Sequence, residues 1–159
     1  MRPWRLPLAV LLVTGCVRPS PPPSLPDCTL STPLPPGVPG SPGHLVVTDL
    51  HPDGTSELAL VMRGLVDDAK VARAAVLEGR PVPPRWSVQR TMRCAWPTAA
   101  ADRDEKFDAL AQAYLEQVRT LESNPADPRL AYTHVLEGCL ACHQTMCPGP
   151  IDLIEGLRL

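Results

Sequence analysis

Aromatic side chains are scarce in this chain of 159 residues, with one Phe, two Tyr and three Trp. A core must therefore come mainly from Leu, Val and Ala, which suits helices. Strong charge of one sign is also missing. The formal net charge is −2, which gives no electrostatic reason to expect nucleic acid or an acidic membrane surface as partner. Long apolar runs are absent too. Residues 6–13 form a short one, well below the roughly 20 residues a helix needs to cross a bilayer. Strand-like alternation is confined to residues 45–48. No nucleophile–base pair or acid dyad stands out, so an enzyme is not expected.

Cysteine and proline, in contrast, are plentiful at six and 21 residues. Six cysteines in so short a chain point to an oxidising compartment or to covalent cofactor use rather than to the cytosol. Two of the six stand with a histidine in Cys139-Leu140-Ala141-Cys142-His143. C-x-x-C-H is the attachment signature of a c-type haem. Each thiol can add across one haem vinyl group to form a thioether, and the adjoining imidazole can take one axial position on the iron. On a helix, His143 lies about 40° round from Cys139 and Cys142 about 60° to its other side, so all three meet one face of a flat macrocycle. Such a macrocycle would also supply the large apolar body that the aromatic residues do not. The competing reading is a disulfide with a bystander histidine.

Arg2 and Arg5 precede the short apolar run, which ends in Leu12-Val13-Thr14-Gly15-Cys16. This resembles the bacterial lipobox. It implies a signal peptide over residues 1–15, removed just before a lipidated Cys16, and several acyl chains on one residue anchor effectively permanently. Val17 after the cysteine implies the outer membrane, facing the periplasm. A plain secretory signal is the alternative. Residues 17–43 then hold ten prolines and no periodic apolar pattern. Fixed φ and missing amide donors predict an extended tether rather than packed structure. Residues 16–43 thus read as lipidated cysteine and linker, and residues 44–159 as the folded domain.

Four helical segments are expected in that domain. After a turn at Pro52-Asp53-Gly54, residues 56–79 repeat apolar side chains at Leu58, Met62, Leu65, Ala69, Ala72 and Val76, a bundle-facing stripe. Gly79 and Pro81 stop it. Residues 85–94 predict a short, irregular second helix between prolines. Asp102 is expected to cap a third, to about residue 123, burying Phe107, Leu110, Tyr114, Val118 and Leu121. Asp127 with Pro128 opens the last, through Val135, Leu136 and the C-x-x-C-H motif to about Met146. A tail helix with Ile151, Ile154 and Leu157 on one face follows. The fold expected is all-α, an antiparallel four-helix bundle.

A lone C-x-x-C-H near the end of the last of four helices resembles the class II c-type cytochromes, the cytochrome c′ group. The Leu58-x-x-x-Met62-Arg63 opening of the first helix adds to the likeness, which covers roughly residues 56–146. The chain departs from that pattern in Cys94, Cys147, the proline-interrupted second helix, the anchor and the tail. The resemblance implies one covalent haem c, iron bound by His143, and two possible sixth positions. Low-spin carriers of the family use a first-helix methionine, which Met62 matches; the high-spin members leave the position open. Met62 could instead be core, since methionine fills irregular gaps. Met92 and Met146 are rival ligands.

Other candidates are weaker. His134 lies too far back on its helix to reach the opposite haem face, and His44 and His51 could reach only an edge. Arg63 and Arg90 are candidate propionate partners. After lipid and haem, Cys28, Cys94 and Cys147 remain. Cys94–Cys147 is the favoured disulfide, with Cys28 bonded to either as the alternative and a zinc or copper site a minor one. The functional expectation is a lipid-anchored periplasmic cytochrome passing single electrons to redox partner proteins. Rival readings are a five-coordinate haem protein binding nitric oxide or carbon monoxide, and a non-haem, disulfide-stapled interaction module.

Overall fold

The structure, a computed structural model, describes residues 26–159. The signal segment and Cys16 lie outside the described residues. Two short antiparallel strands, β1 (Val46–Thr48) and β2 (His51–Thr55), precede five helices: α1 (Glu57–Leu77), α2 (Trp86–Gln89), α3 (Glu105–Glu122), α4 (Pro128–Met146) and α5 (Ile151–Glu155). The second continues as a 3₁₀ stretch over Arg90–Cys94, and a 3₁₀ turn spans Ala100–Asp102. The chain is thus mostly helical, with four helical segments and a small hairpin ahead of the short tail helix. No helix among the described residues is long and apolar enough to cross a membrane.

Local chemistry explains the helix limits. Ser56 Oγ accepts from the Ala59 N–H at 3.2 Å, an N-cap one residue before Glu57. At the other end Gly79 takes φ 65°. The Arg80 N–H then donates to Ala75 O (2.9 Å) and the Gly79 N–H to Val76 O (3.3 Å), the paired closure that a left-handed glycine permits. The second segment is irregular, as its prolines imply. Its first turn borrows a cap from elsewhere: Glu122 Oε1 accepts from the N–H groups of Arg85 and Trp86, at 2.5 and 2.7 Å. The third helix is capped by Asp104, not Asp102. Asp102 is held in the 3₁₀ turn, and only the extended Asp104 can turn Oδ1 onto the Phe107 N–H, at 2.8 Å. Asp127 Oδ1 accepts from the Leu130 N–H at 3.0 Å, and Pro128 takes the first helical turn.

Helix α4 packs against both α3 and α1, and α5 folds onto α4. A Cβ at Gly138 would sit 3.4 Å from Tyr114 Cα, so glycine there lets α3 and α4 approach closely. Tyr132, fully buried, anchors the interior. Its hydroxyl shares its proton between Leu157 O (3.0 Å) and Ala69 O (3.4 Å), tying α4 to α1 and the tail. The stripe of α1 and the predicted faces of α3 and α5 join one apolar cluster, with Ile154 and Leu157 buried, except that Leu110 is half-buried and borders the cavity instead.

Two expectations fail ahead of α1. Pro52-Asp53-Gly54 does not form the turn but lies within β2, and Asp49 and Leu50 make the turn. Gly54 (φ 82°) absorbs the irregular register there; a Cβ would meet Leu45 Cβ at 2.6 Å. The larger correction concerns the tether. Residues 26–43 are packed against the domain rather than extended from it, so packing reaches back at least to residue 26 instead of 44. Cys28 and Ser41 are buried there. Gly40 (φ 90°) lies so close to Glu57 that a Cβ would fall 2.6 Å from Glu57 Cβ, and Gly40 O accepts from the Glu57 N–H at 3.2 Å. That bond satisfies one of the unpaired amides at the start of α1.

Candidate functional site

The C-x-x-C-H motif lies on the last two turns of α4, where Pro148 halts the helix just beyond Cys147. Its three side chains border a cavity of about 580 Å³, within the range of small-molecule and cofactor pockets. The opposite wall comes from α1, with Leu58, Met62, Leu65 and Val66. Phe107, Leu110 and Ala111 of α3 and Met92 of the 3₁₀ stretch complete the apolar surround. Ser56, Arg63, Thr98 and Asp102 contribute the polar groups.

His143 is held in one tautomer. Its Nδ1 lies 2.9 Å from Cys147 O. A carbonyl can only accept, so Nδ1 carries the proton and Nε2 keeps its lone pair, the arrangement a metal-binding imidazole needs. Pro148 makes this possible, because the chain leaves the helix at Cys147 (φ −152°, ψ 80°) and its carbonyl is free to turn back. Burial pushes the Cys139 thiol up to about 12, with the neighbouring Cys142 adding to the effect. Cys142 is raised for the same reason, and Cys147 adds to it. Both are neutral thiols at ordinary pH, unlike the depressed thiolates of redox dithiols.

Met62 faces this cavity, as do Met92 and Met146, so all three candidate methionines meet there. Met92 is the most enclosed, at 4% exposed, and Met146 stands on the same helix as His143. Arg63 lines the rim and donates from Nη1 to Thr55 Oγ1 at 3.0 Å. Arg90 is turned elsewhere, pairing with Asp27 at 3.3 Å and lying 5.4 Å over the Trp86 ring. His134 and His44 are exposed, and His51 stands on the hairpin; none of these borders the cavity.

The expected Cys94–Cys147 bond is not formed. Cys94 is bonded to Cys28, with Cα atoms 5.2 Å apart, and Cys147 is a free, exposed thiol. Proline content misled the expectation: a segment without secondary structure can still be pinned by its neighbours' side chains. Arg103 donates to the carbonyls of Leu30 (3.1 Å) and Thr29 (2.7 Å), and Trp96 Nε1 to Pro35 O at 3.1 Å. Among the described residues no group of three or more His, Cys, Asp or Glu could hold a metal ion, so a zinc or copper site has no ligand set there.

Behind the cavity runs a polar chain that sequence reading missed. Tyr114, whose ring borders the cavity, donates to Gln89 Oε1 at 2.8 Å. Gln89 Nε2 donates to Asp68 at 3.0 Å, and Arg85 Nε to the same carboxylate at 2.7 Å. Burial drives the Tyr114 phenol well above its ordinary value, so it remains a donor. Helical periodicity marks Tyr114 as buried but cannot name Gln89 as its partner, 25 residues earlier.

The residues present suit a flat apolar ring carrying a metal. Two thiols and the His143 imidazole from α4, three thioethers, and apolar side chains from α1 and α3 line one cavity, with few polar groups among them. No protein-family model, no curated protein and no solved structure matches the chain.

Proposed function

We propose that this protein is a lipid-anchored, mono-haem c-type cytochrome of class II type that passes single electrons in the periplasm. Cys139 and Cys142 would hold the haem through thioethers, and His143 Nε2 and Met62 would bind its iron. Cys16 carries the lipid, and the helices form an antiparallel four-helix bundle around the haem. The observation that carries the reading is that both thiols, the tautomer-fixed imidazole and Met62 border one apolar cavity of about 580 Å³.

When bound, the haem iron supplies a one-electron couple; the chain itself excludes water from the ring and sets the ligands. The carbonyl of Cys147 orients the imidazole and raises its basicity. A Met62 thioether together with the His143 imidazole would favour the ferrous state and electron transfer. Leu58, Leu65, Phe107 and Leu110 also border the cavity, and they favour the second reading, a five-coordinate gas-binding protein, should Met62 not ligate.

The test is protein made in a host with c-type maturation. Haem staining that persists through denaturing electrophoresis is expected, together with the mass of one haem. Cys139→Ala with Cys142→Ala should abolish both signals. Wild-type protein without bound haem under those conditions would overturn the reading and leave the interaction module standing.

A further inference from the structure

The packed N-terminal segment and the cavity share a wall. Met92, Pro97, Thr98 and Asp102 border the cavity from one side, and Cys94 lies among them, bonded to Cys28. Polar contacts also join residues 26–36 to that wall: Asp27 with Arg90, Arg103 with the Thr29 and Leu30 carbonyls, and Trp96 with Pro35. Their outer partners face water: the Asp27 side chain is 71% exposed, the bonds to the Thr29 and Pro35 carbonyls are exposed, and exposed pairs hold weakly. Within residues 26–36 the Thr32 N–H donates to Thr29 O at 3.0 Å, in a turn rather than a helix or strand. The opposite wall, on α4, is held by helix packing against α3.

We propose that the Cys28–Cys94 disulfide is a redox latch on the cavity. Closed, it pins the wall that carries Met92. Reduced, it frees residues 26–36 and 90–102 together while the α3–α4 pair stays folded. Cys28 is buried and Cys94 partly exposed, so the reductant, a dithiol, attacks the Cys94 sulfur. A bond forms from the dithiol to Cys94 as the Cys94–Cys28 bond breaks and Cys28 leaves. The dithiol's second sulfur then displaces Cys94 and closes on the first. Two electrons and two protons pass to the protein, giving two thiols and a cyclic disulfide. This deepens the cytochrome reading by naming a control on the same cavity, but its main test does not depend on haem.

Hydrogen exchange on full-length Cys147→Ser protein, with and without dithiol, reads the latch directly. Reduction should speed exchange roughly tenfold or more in residues 26–36 and 90–102, and leave α3 and the middle of α4 within about twofold. Cys28→Ser with Cys94→Ser should reproduce that pattern without reductant; should that variant not fold, the dithiol comparison decides alone. Unchanged exchange in residues 90–102, or equal acceleration in α3 and α4, would overturn the latch. In haem-loaded protein held ferrous, reduction should speed carbon monoxide association several-fold, and an unchanged rate would overturn control of access. Absence of haem would sink the cytochrome reading alone, since the exchange pattern is read without it.

Discussion

Where α3 turns into α4, Val118, Leu121, Tyr132 and Leu136 fill the interior with close-packed side chains. Toward the end of α4, the same helices join α1 in lining a cavity of about 580 Å³. Cross-chain ties hold that end: the Cys28–Cys94 bond, a two-pronged Arg93–Asp108 pair at 2.8 and 3.1 Å, and the Glu57 carboxylate accepting from the Trp96 N–H at 3.1 Å. Burial stabilises the first end, since apolar area removed from water contributes roughly 25 cal/mol per Å². The second end substitutes directional contacts for part of that burial. A protein that kept a space for a large ligand would have to be built in this way.

The contrast can be broken by substitution. Leu136→Ala, at a side chain 1% exposed, should cost about 3–5 kcal/mol in denaturant unfolding, through lost transfer energy and a residual cavity. A loss as small as that of a surface residue would mean that the packed end is not what holds the fold. Cys28→Ser with Cys94→Ser opens a cross-link between residues 66 apart in sequence. It should lower stability by about 2–4 kcal/mol, by releasing denatured-chain entropy. The midpoint should shift without loss of helical circular dichroism.

Smaller effects sharpen the difference. Asp108→Asn should cost about 1 kcal/mol at neutral pH, since its partner Arg93 is partly buried with it. Hydrogen bonds from Arg93 hold the Asp108 carboxyl below its ordinary value of 3.8, against the opposing effect of burial. The folded pKa is the lower one, so this stabilisation is present above pH 3.8 and lost as the pH falls through the folded value. Wild type and variant should therefore converge in acid urea titrations below that point, and a gap that persists would assign the effect to packing. Met62→Ala should change stability least, by less than about 1 kcal/mol, because its half-buried side chain borders the cavity at the edge of the apolar cluster. Its reading is optical. In haem-loaded protein the iron should move toward high spin and the reduction potential should fall; an unchanged low-spin spectrum would direct attention to Met92.

Legibility followed the same divide. The stripes of α1 and α3, the Asp127-Pro128 start and the Gly79 stop lie in local sequence, and each appears in the fold within a residue or two. Local chemistry also placed C-x-x-C-H on the last long helix, α4. What escaped was long-range. The partner of Cys94 lies 66 residues away, and the cap of the second helix is a carboxylate from α3. Proline marks a segment that cannot form a ladder or helix, but it does not say whether arginine and tryptophan elsewhere will hold that segment down. Gly54 misled for a related reason: left-handed φ suits an irregular strand as well as a turn.

On the proposed lipid anchor, the strap on residues 26–43 would also set the geometry of diffusion at a membrane. Were the chain free from Cys16 to His44, its 28 steps could reach about 100 Å; with residue 26 pinned, ten steps could reach at most about 35 Å. The volume open to the domain around a lipid at Cys16 would then shrink roughly twentyfold, and the effective concentration of membrane-bound partners would rise by a similar factor. A short leash of this kind would select encounters in the plane of the bilayer over those across a periplasmic gap.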